Sequence, residues 1–477
     1  MGQDIASCHF KQSDFEQFSQ KLSHETTLLR EWFDKRLLSS NENFVGFELE
    51  AWLIKAGGQP APVNESYLSM LDDNALFSPE LSQFNIELNS TPRHLSGDLF
   101  SAMKRELDSN WGHCREVAQQ IDTDLAMIGT LPTLDDNMLT LEHMSQTARY
   151  QALNEQVLRM RQGRPIELDI NGIEHLSSSH KDVMLEAATT SFQIHLQVSR
   201  DKALRYYNAM QALSAPLVAM SGNSPILFGK KLWQETRIPI FEQAVPVGGI
   251  NGAAFGPLKR VSFGTGYARH SLMELFDENE QHFPVMLPET LSDDPAELSH
   301  LRLHNGTIWR WNRPLIGFDG DGTPHLRIEH RVMPAGPTTI DTIANCALFI
   351  GLSHYFAEMS EPIEAMLDFS LVRDNFYLAA KRGLKAQVSW LRGESGRADE
   401  LLQHLIPLAR LGLERLECSR NDIDDYISVI EGRVAKGQTG AVWQLNYLEA
   451  NGGDLEKMFI AYLQGQNSGN PVHEWKI

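Results

Sequence analysis

The stretch Phe44-Val-Gly-Phe-Glu-Leu-Glu-Ala-Trp-Leu53 decides the fold class. Side chains of a β-strand alternate between two faces. Here Val45, Phe47, Leu49, Ala51 and Leu53 fall on one face, with Glu48, Glu50 and Trp52 on the other. The same phase returns in three more runs. In Phe84-Asn-Ile-Glu-Leu-Asn89, Ile86 and Leu88 oppose Asn85, Glu87 and Asn89. In Ser191-Phe-Gln-Ile-His-Leu-Gln-Val198, Phe192, Ile194, Leu196 and Val198 oppose Gln193, His195 and Gln197. In Leu326-Arg-Ile-Glu-His-Arg-Val332, Leu326, Ile328 and Val332 oppose Arg327, Glu329 and Arg331, with His330 as an exception on the apolar side.

A one-sided antiparallel sheet with a wet face alternates in the same way, and any one of these strands reads as no more than that. Across all four, Trp52 aside, the polar face carries only carboxylate, amide, imidazole and guanidinium groups, and no lysine. Glutamates side by side repel, a cost that a bound cation removes. Four glutamates (Glu48, Glu50, Glu87, Glu329) and one histidine (His195) offer mainly hard oxygen ligands. These suit Mg²⁺, or Mn²⁺, better than a zinc site built on several His or Cys.

Arginine is the second constituent. Arg327 and Arg331 flank Glu329, and Arg310 and Arg313 sit in Gly306-Thr-Ile-Trp-Arg-Trp-Asn-Arg-Pro314. A guanidinium fork binds phosphate or carboxylate with two parallel hydrogen bonds. Structural ion pairing with the glutamates accounts equally well for Arg327. Together, carboxylates that hold metal and arginines that hold oxyanions are what phosphoryl transfer requires.

Composition narrows the partners. The 477 residues carry 42 Lys+Arg against 62 Asp+Glu, a net charge of −20, which disfavours nucleic acid and anionic membrane. No apolar run is long enough to span a bilayer. The first ten residues lack the basic start and apolar run of a signal peptide. Cys8, Cys114, Cys346 and Cys418 are scattered without metal spacing, so the expected compartment is the cytoplasm. The glycine-rich stretches 248–256 and 264–266 fit neither GxGxxG nor a P-loop and read as turns.

Helical periodicity is expected over residues 14–38, 96–121 and 147–162, and then over 340–359, 365–390, 400–418 and 423–434. The expected organisation is an N-terminal helical segment (1–42), an α+β catalytic domain (43–390) and a helical C-terminal extension (391–477). The expected fold is a large curved antiparallel sheet with helices on its apolar face.

Several ordered blocks resemble the glutamate–cysteine ligase family, in the carboxylate–amine ligase group with a glutamine-synthetase-like catalytic fold. Gly46-Phe-Glu-Leu-Glu50 resembles its opening GxExE strand, and Ile86-Glu-Leu-Asn-Ser-Thr-Pro92 its next glutamate strand. The Ser191–Val198 run is similar to its histidine strand, with Gln193 where the family often has a second histidine. Ser221-Gly-Asn-Ser-Pro225, Ile328-Glu-His-Arg-Val-Met-Pro334 and Asp374-Asn-Phe-Tyr-Leu-Ala-Ala-Lys-Arg-Gly-Leu384 follow in the family's order.

The resemblance implies an ATP- and Mg²⁺-dependent ligase for small amino-acid substrates. The γ-carboxylate of glutamate, or a related acid, would be phosphorylated and the acyl phosphate attacked by an amine. By position, Glu48, Glu50, Glu87, His195 and Glu329 would hold the metal, and Arg331 would neutralise the phosphoryl group in transit. Arg313 and Arg149 match more loosely, as phosphate or substrate-carboxylate ligands. Arg327, Arg310 and Asn223 are further nucleotide-binding candidates, although Asn223 also suits a plain turn. Trp309 and Trp311 suit core positions better than an adenine shelf. Three other readings stand beside this one: the same chemistry on a different acid or amine; a metal-dependent hydrolase of an amide or glycoside, which gives the arginines no purpose; and a non-catalytic relative, which would gain by losing the repulsion of the four strand carboxylates.

Overall fold

The computed structural model describes residues 5–71, 75–247 and 259–477. The glycine-rich stretch 248–256 lies outside the described residues. Eight strands form one sheet: β1 (Phe44–Ile54), β2 (Phe77–Pro79), β3 (Asn85–Asn89), β4 (Arg93–His94), β5 (Asp124–Ala126), β6 (Ser191–Val198), β7 (Asn312–Phe318) and β8 (Pro324–Pro334). The order is β7-β8-β6-β1-β3-β2, with β4 and β5 also on β1, and every pairing is antiparallel.

The helices used below are α1 (Gln12–Lys35), α2 (Leu99–Gln119), α3 (Ala148–Met160), α4 (Arg200–Ser221), α5 (Arg237–Ala244), α6 (Ser299–Asn305), α7 (Thr339–Ala357), α8 (Phe369–Arg382), α9 (Ala398–Arg415), α10 (Arg420–Lys436), α11 (Gly440–Ala450) and α12 (Leu455–Ser468). The apolar face of the sheet packs against α4, and α4 against α7. Both helices are buried almost all round, as expected for elements enclosed between a sheet and an outer helical layer. Helices α9 and α10 pack outside α7. The architecture is the expected α+β one, with helices on the apolar side of an antiparallel sheet.

The alternation anticipated for β1, β3, β6 and β8 is present, and its exceptions have local causes. Trp52 is fully buried despite its polar phase: it stacks on Phe84 at 5.6 Å and its Nε1 donates to Ile128 O. His330, on the apolar face, stacks on Phe349 at 4.3 Å and shares a 2.7 Å hydrogen bond from Nδ1 to Asn312 Oδ1. In β8 the register shifts between His330, opposite Ile194, and Met333, opposite Phe192. Arg331 and Val332 therefore share the place opposite Gln193, a β-bulge that lets Val332 and Met333 both be buried.

One helix expectation is corrected. The helix expected over 365–390 stops at Arg382, because Gly383 takes φ 57° and the chain turns into a short hairpin of Gln387–Ser389 with Ser395–Arg397. Asn375 clamps that turn, donating to Ser389 O and accepting from Ser389 N. Among the described residues, no helix is long and apolar enough to cross a membrane.

Candidate functional site

Strand register arranges the polar face in three rows. Ser78, Glu87 and Glu50 lie side by side across β2, β3 and β1. Asn89, Glu48 and Gln193 form the next row, across β3, β1 and β6. Gly46, His195, Glu329 and Arg313 form the third, across β1, β6, β8 and β7. All but Ser78 and Gly46 floor a cavity of about 590 Å³, walled in part by α3 and α6. Helix α1 braces α6 from behind, where Glu25 accepts from Leu301 N and shares a 2.6 Å hydrogen bond with His300.

One end of the cavity is a carboxylate cluster. Oxygens of Glu50, Glu80 and Glu87 lie within 4.8 Å of one another. Burial, with the charges of Glu48 and Glu50, pushes Glu87 up to about 7. Burial and the charge of Glu50 push Glu186 up to about 8. Burial and the neighbouring Glu87 raise Glu80 well above the usual carboxylate range. Glu50 is fixed by donors from β6: Ser191 N and Oγ at 2.7 and 2.8 Å, and Gln193 Nε2 at 2.9 Å. Glu87 accepts from Ser78 Oγ and Asn89 Nδ2, both on Oε1, each at 3.0 Å.

The centre holds opposite charges in contact. Glu329 accepts from Arg313 Nη2 at 2.6 Å and from Arg331 Nε at 2.5 Å. Against the cost of burial, those two guanidinium groups bring its carboxyl down to about 2. Arg331 Nη2 also donates to Gln193 Oε1 at 2.6 Å, so Gln193 bridges Arg331 and Glu50. His195 Nε2 lies 3.3 Å from Glu48 Oε1, yet both ring nitrogens are buried and neither has a hydrogen-bond partner among the described residues.

The other end is cationic. Arg302, on α6, lies over the Phe318 ring at 5.5 Å, and Arg327, on β8, has a buried Nε without a partner. Neither guanidinium makes an ion pair or a side-chain hydrogen bond among the described residues, and burial lowers the affinity of both for their proton.

Nine of the eleven expected site residues line this cavity: Glu48, Glu50, Glu87, His195, Glu329, Arg149, Arg313, Arg327 and Arg331. Two expectations are corrected. Arg310 does not line the cavity and donates to Asn279 Oδ1 and Glu278 Oε2, because it alternates on its short strand with Trp309, which faces the cavity. Asn223 is a fully buried tie, donating to Ala335 O and Tyr462 Oη and accepting from Gln444. Trp309 lines the cavity, whereas Trp311 is core.

Sequence reasoning missed Glu80, Glu186 and Arg302. Glu80 follows β2 in a loop, Glu186 sits on a 3₁₀ turn and Arg302 on a two-turn helix, so no period-two pattern marks them. The most compact carboxylate group includes Glu80 rather than Glu48, His195 or Glu329, which lie in the adjoining rows. Chemically, the donors suit a hard divalent cation: oxygens crowded enough to resist ionisation, with the His195 imidazole, in contact with Glu48, beside them.

A family model described as Glutamate-cysteine ligase family 2 (GCS2) matches residues 44–461. Among solved structures, the chain is similar to a glutamate–cysteine ligase from Francisella tularensis in complex with AMP. The identity is 10%, the TM-score 0.52, and 90% of each chain is covered. It is also similar to a bifunctional glutathione synthetase from Pasteurella multocida, at 11% identity and TM-score 0.51, covering 93% of this chain and 54% of that one. At such identities the likeness is one of fold. No curated protein matches the sequence.

Proposed function

This chain belongs to glutamate–cysteine ligase family 2, a family of ATP-dependent ligases, and from that premise we propose that it joins a dicarboxylic amino acid, glutamate or a close relative, to an amine. The distal carboxylate attacks the γ-phosphorus of ATP, releasing ADP. The amine then attacks the acyl phosphate carbon, an amide bond forms, and phosphate and a proton leave. The observation that carries this reading is one cavity holding a carboxylate cluster beside the Arg313–Glu329–Arg331 unit.

Glu50, Glu80 and Glu87, with Glu48 and His195 adjoining, are the residues that would hold Mg²⁺. When bound, the ion supplies positive charge against the phosphates of ATP. The chain's own contribution is positioning and charge. A guanidinium has five N–H donors. Glu329 occupies one on Arg313 and one on Arg331, Asn305 O a second on Arg313 and Gln193 a second on Arg331, so donors on both remain for a phosphoryl group. Glu329 thus acts as the brace that holds two arginines together in a buried site. No enzyme nucleophile is called for, since the work is orientation and electrostatic stabilisation.

Arg302 and Arg327 suit the free carboxylate of the acid. Arg327 lies one two-residue step along β8 from Glu329, roughly 6.8 Å, a span suited to a short dicarboxylic acid. Two neighbouring guanidinium groups that make no ion pair or side-chain hydrogen bond among the described residues also suit an anion. The test is ADP release from ATP and Mg²⁺ with panels of acids and amines. We expect ADP, not AMP, and a kcat/KM for L-glutamate at least about tenfold above that for 4-aminobutyrate, which lacks the second carboxylate. Arg302→Met should erase that preference. Formation of AMP, or amide cleavage without ATP, would overturn the reading.

A further inference from the structure

We propose that Arg237 is a positioning residue, which aims Arg331 into the cavity by holding the bulge of β8. The ligase reading enters only as the reaction measured. A bulge interrupts the ladder and leaves backbone groups without their strand partner. Buried carbonyls in that state need another donor. Arg237 Nη2 supplies it, donating to Arg331 O at 2.9 Å and to Val332 O at 2.7 Å, the two residues of the bulge.

The guanidinium is itself held by a carboxylate and an aromatic ring. Its Nε donates to Glu235 Oε1 at 3.1 Å, and Glu235 Oε2 accepts from Asn223 N at 3.0 Å. The ring of Trp311 lies over it at 5.3 Å. Side chains of both members of the pair are almost wholly buried, at 2% and 0% exposure. Desolvating such a pair costs as much as, or more than, its attraction returns, so stability alone is a weak reason for it. Fixing a register is the better-attested use.

Here the register leads to the phosphoryl-facing arginine. Arg331 N donates to Trp311 O at 3.0 Å, while its carbonyl is held by Arg237. Its guanidinium lies 5.8 Å over Phe241, which belongs to the same short helix, α5, that begins at Arg237. One helix therefore fixes Arg331 at both backbone and side chain. Without Arg237, the two bulge carbonyls would seek ladder positions and Arg331 would swing from Glu329 and Gln193.

A double-mutant cycle tests this on the full chain, using Arg237→Met, Arg331→Lys and the combination, with kcat for ADP release and the Kd for ATP by calorimetry. Thermal unfolding of each variant records the purely structural effect. If Arg237 works through Arg331, Arg237→Met lowers kcat by about 30-fold in the native background and by less than about threefold beside Arg331→Lys. Losses that multiply when combined would overturn the proposal, because a fold-supporting role acts equally in both backgrounds. Should Arg237→Met fail to fold, Glu235→Gln/Arg237→Met removes both charges together and takes its place in the cycle. If no acid–amine pair turns over, ATP affinity carries the cycle under the same criterion. A coupled cycle accompanied by AMP formation would overturn the ligase chemistry and leave the positioning role standing. A chain that binds no ATP would overturn both.

Discussion

Among single residues, Glu87 and Glu186 bear the clearest consequence. Their carboxyls are raised from an ordinary 4.5 to about 7 and about 8 by burial and by neighbouring carboxylates. A carboxyl whose folded value is raised stabilises the fold fully below its unfolded value, and that stability is lost as pH rises through the folded one. The metal-free protein should therefore lose thermal stability steadily between about pH 4.5 and 8. Mg²⁺ needs the ionised form, so it should raise Tm more at pH 8.5 than at pH 6. Calorimetric scans with and without Mg²⁺ at both pH values check this. An equal shift at both would mean that the cluster is not where the ion sits. Glu329 has the opposite sign: held down to about 2 by Arg313 and Arg331, it contributes stability above 4.5 that disappears only in strong acid.

At the scale of elements, alternation in four strands was enough to anticipate the polar floor, because a residue's face on a strand follows from its parity alone. Parity could not announce the bulge at Arg331 and Val332, since a bulge depends on the partner strand's register. The helical layer shows a similar division. Hydrophobic periodicity marks α7 and α9, but their closeness depends on glycines that face each other. A side-chain carbon at Gly412 would lie 1.9 Å from Gly351 O, and one at Gly351 would lie 2.4 Å from Ala409 O. Gly412→Leu should thus push the two helices apart and cost about 3 kcal/mol or more, read as a drop in the urea midpoint. An unchanged midpoint would show that the crossing can yield without cost.

For the molecule as a whole, chain segments far apart in sequence are joined by buried charge. Asp341 at the start of α7 accepts from Arg433 Nη2 of α10 at 2.7 Å and from Val472 N near the C-terminus at 2.9 Å. Arg433 also donates to Asn345 Oδ1 at 2.6 Å. Removing one partner strands a buried charge, so Arg433→Met should destabilise by about 3–5 kcal/mol. Asp341→Asn/Arg433→Met should recover much of that. Because neither residue lines the cavity, ADP release per folded molecule should stay at the native level in both. A loss of rate in the stable double variant would argue that this junction reaches the site.

Sequence by itself marked four of the sheet's eight strands and their buried faces, nominated eleven residues of which nine line one cavity, and pointed to the family of the chain. Each of these depends on local spacing: period two for strands, and ordered motifs for kinship. What only the tertiary structure decided is which polar groups meet. Glu80 joins the carboxylate cluster from a loop, Glu186 lines the same cavity from a 3₁₀ turn, and Arg302 joins Arg327 from a helix 25 positions away. Arg310 and Asn223 share the residue types of the site but face elsewhere. The physical reason is that direction is local on a strand, whereas convergence depends on register, twist and the burial cost of every group brought together.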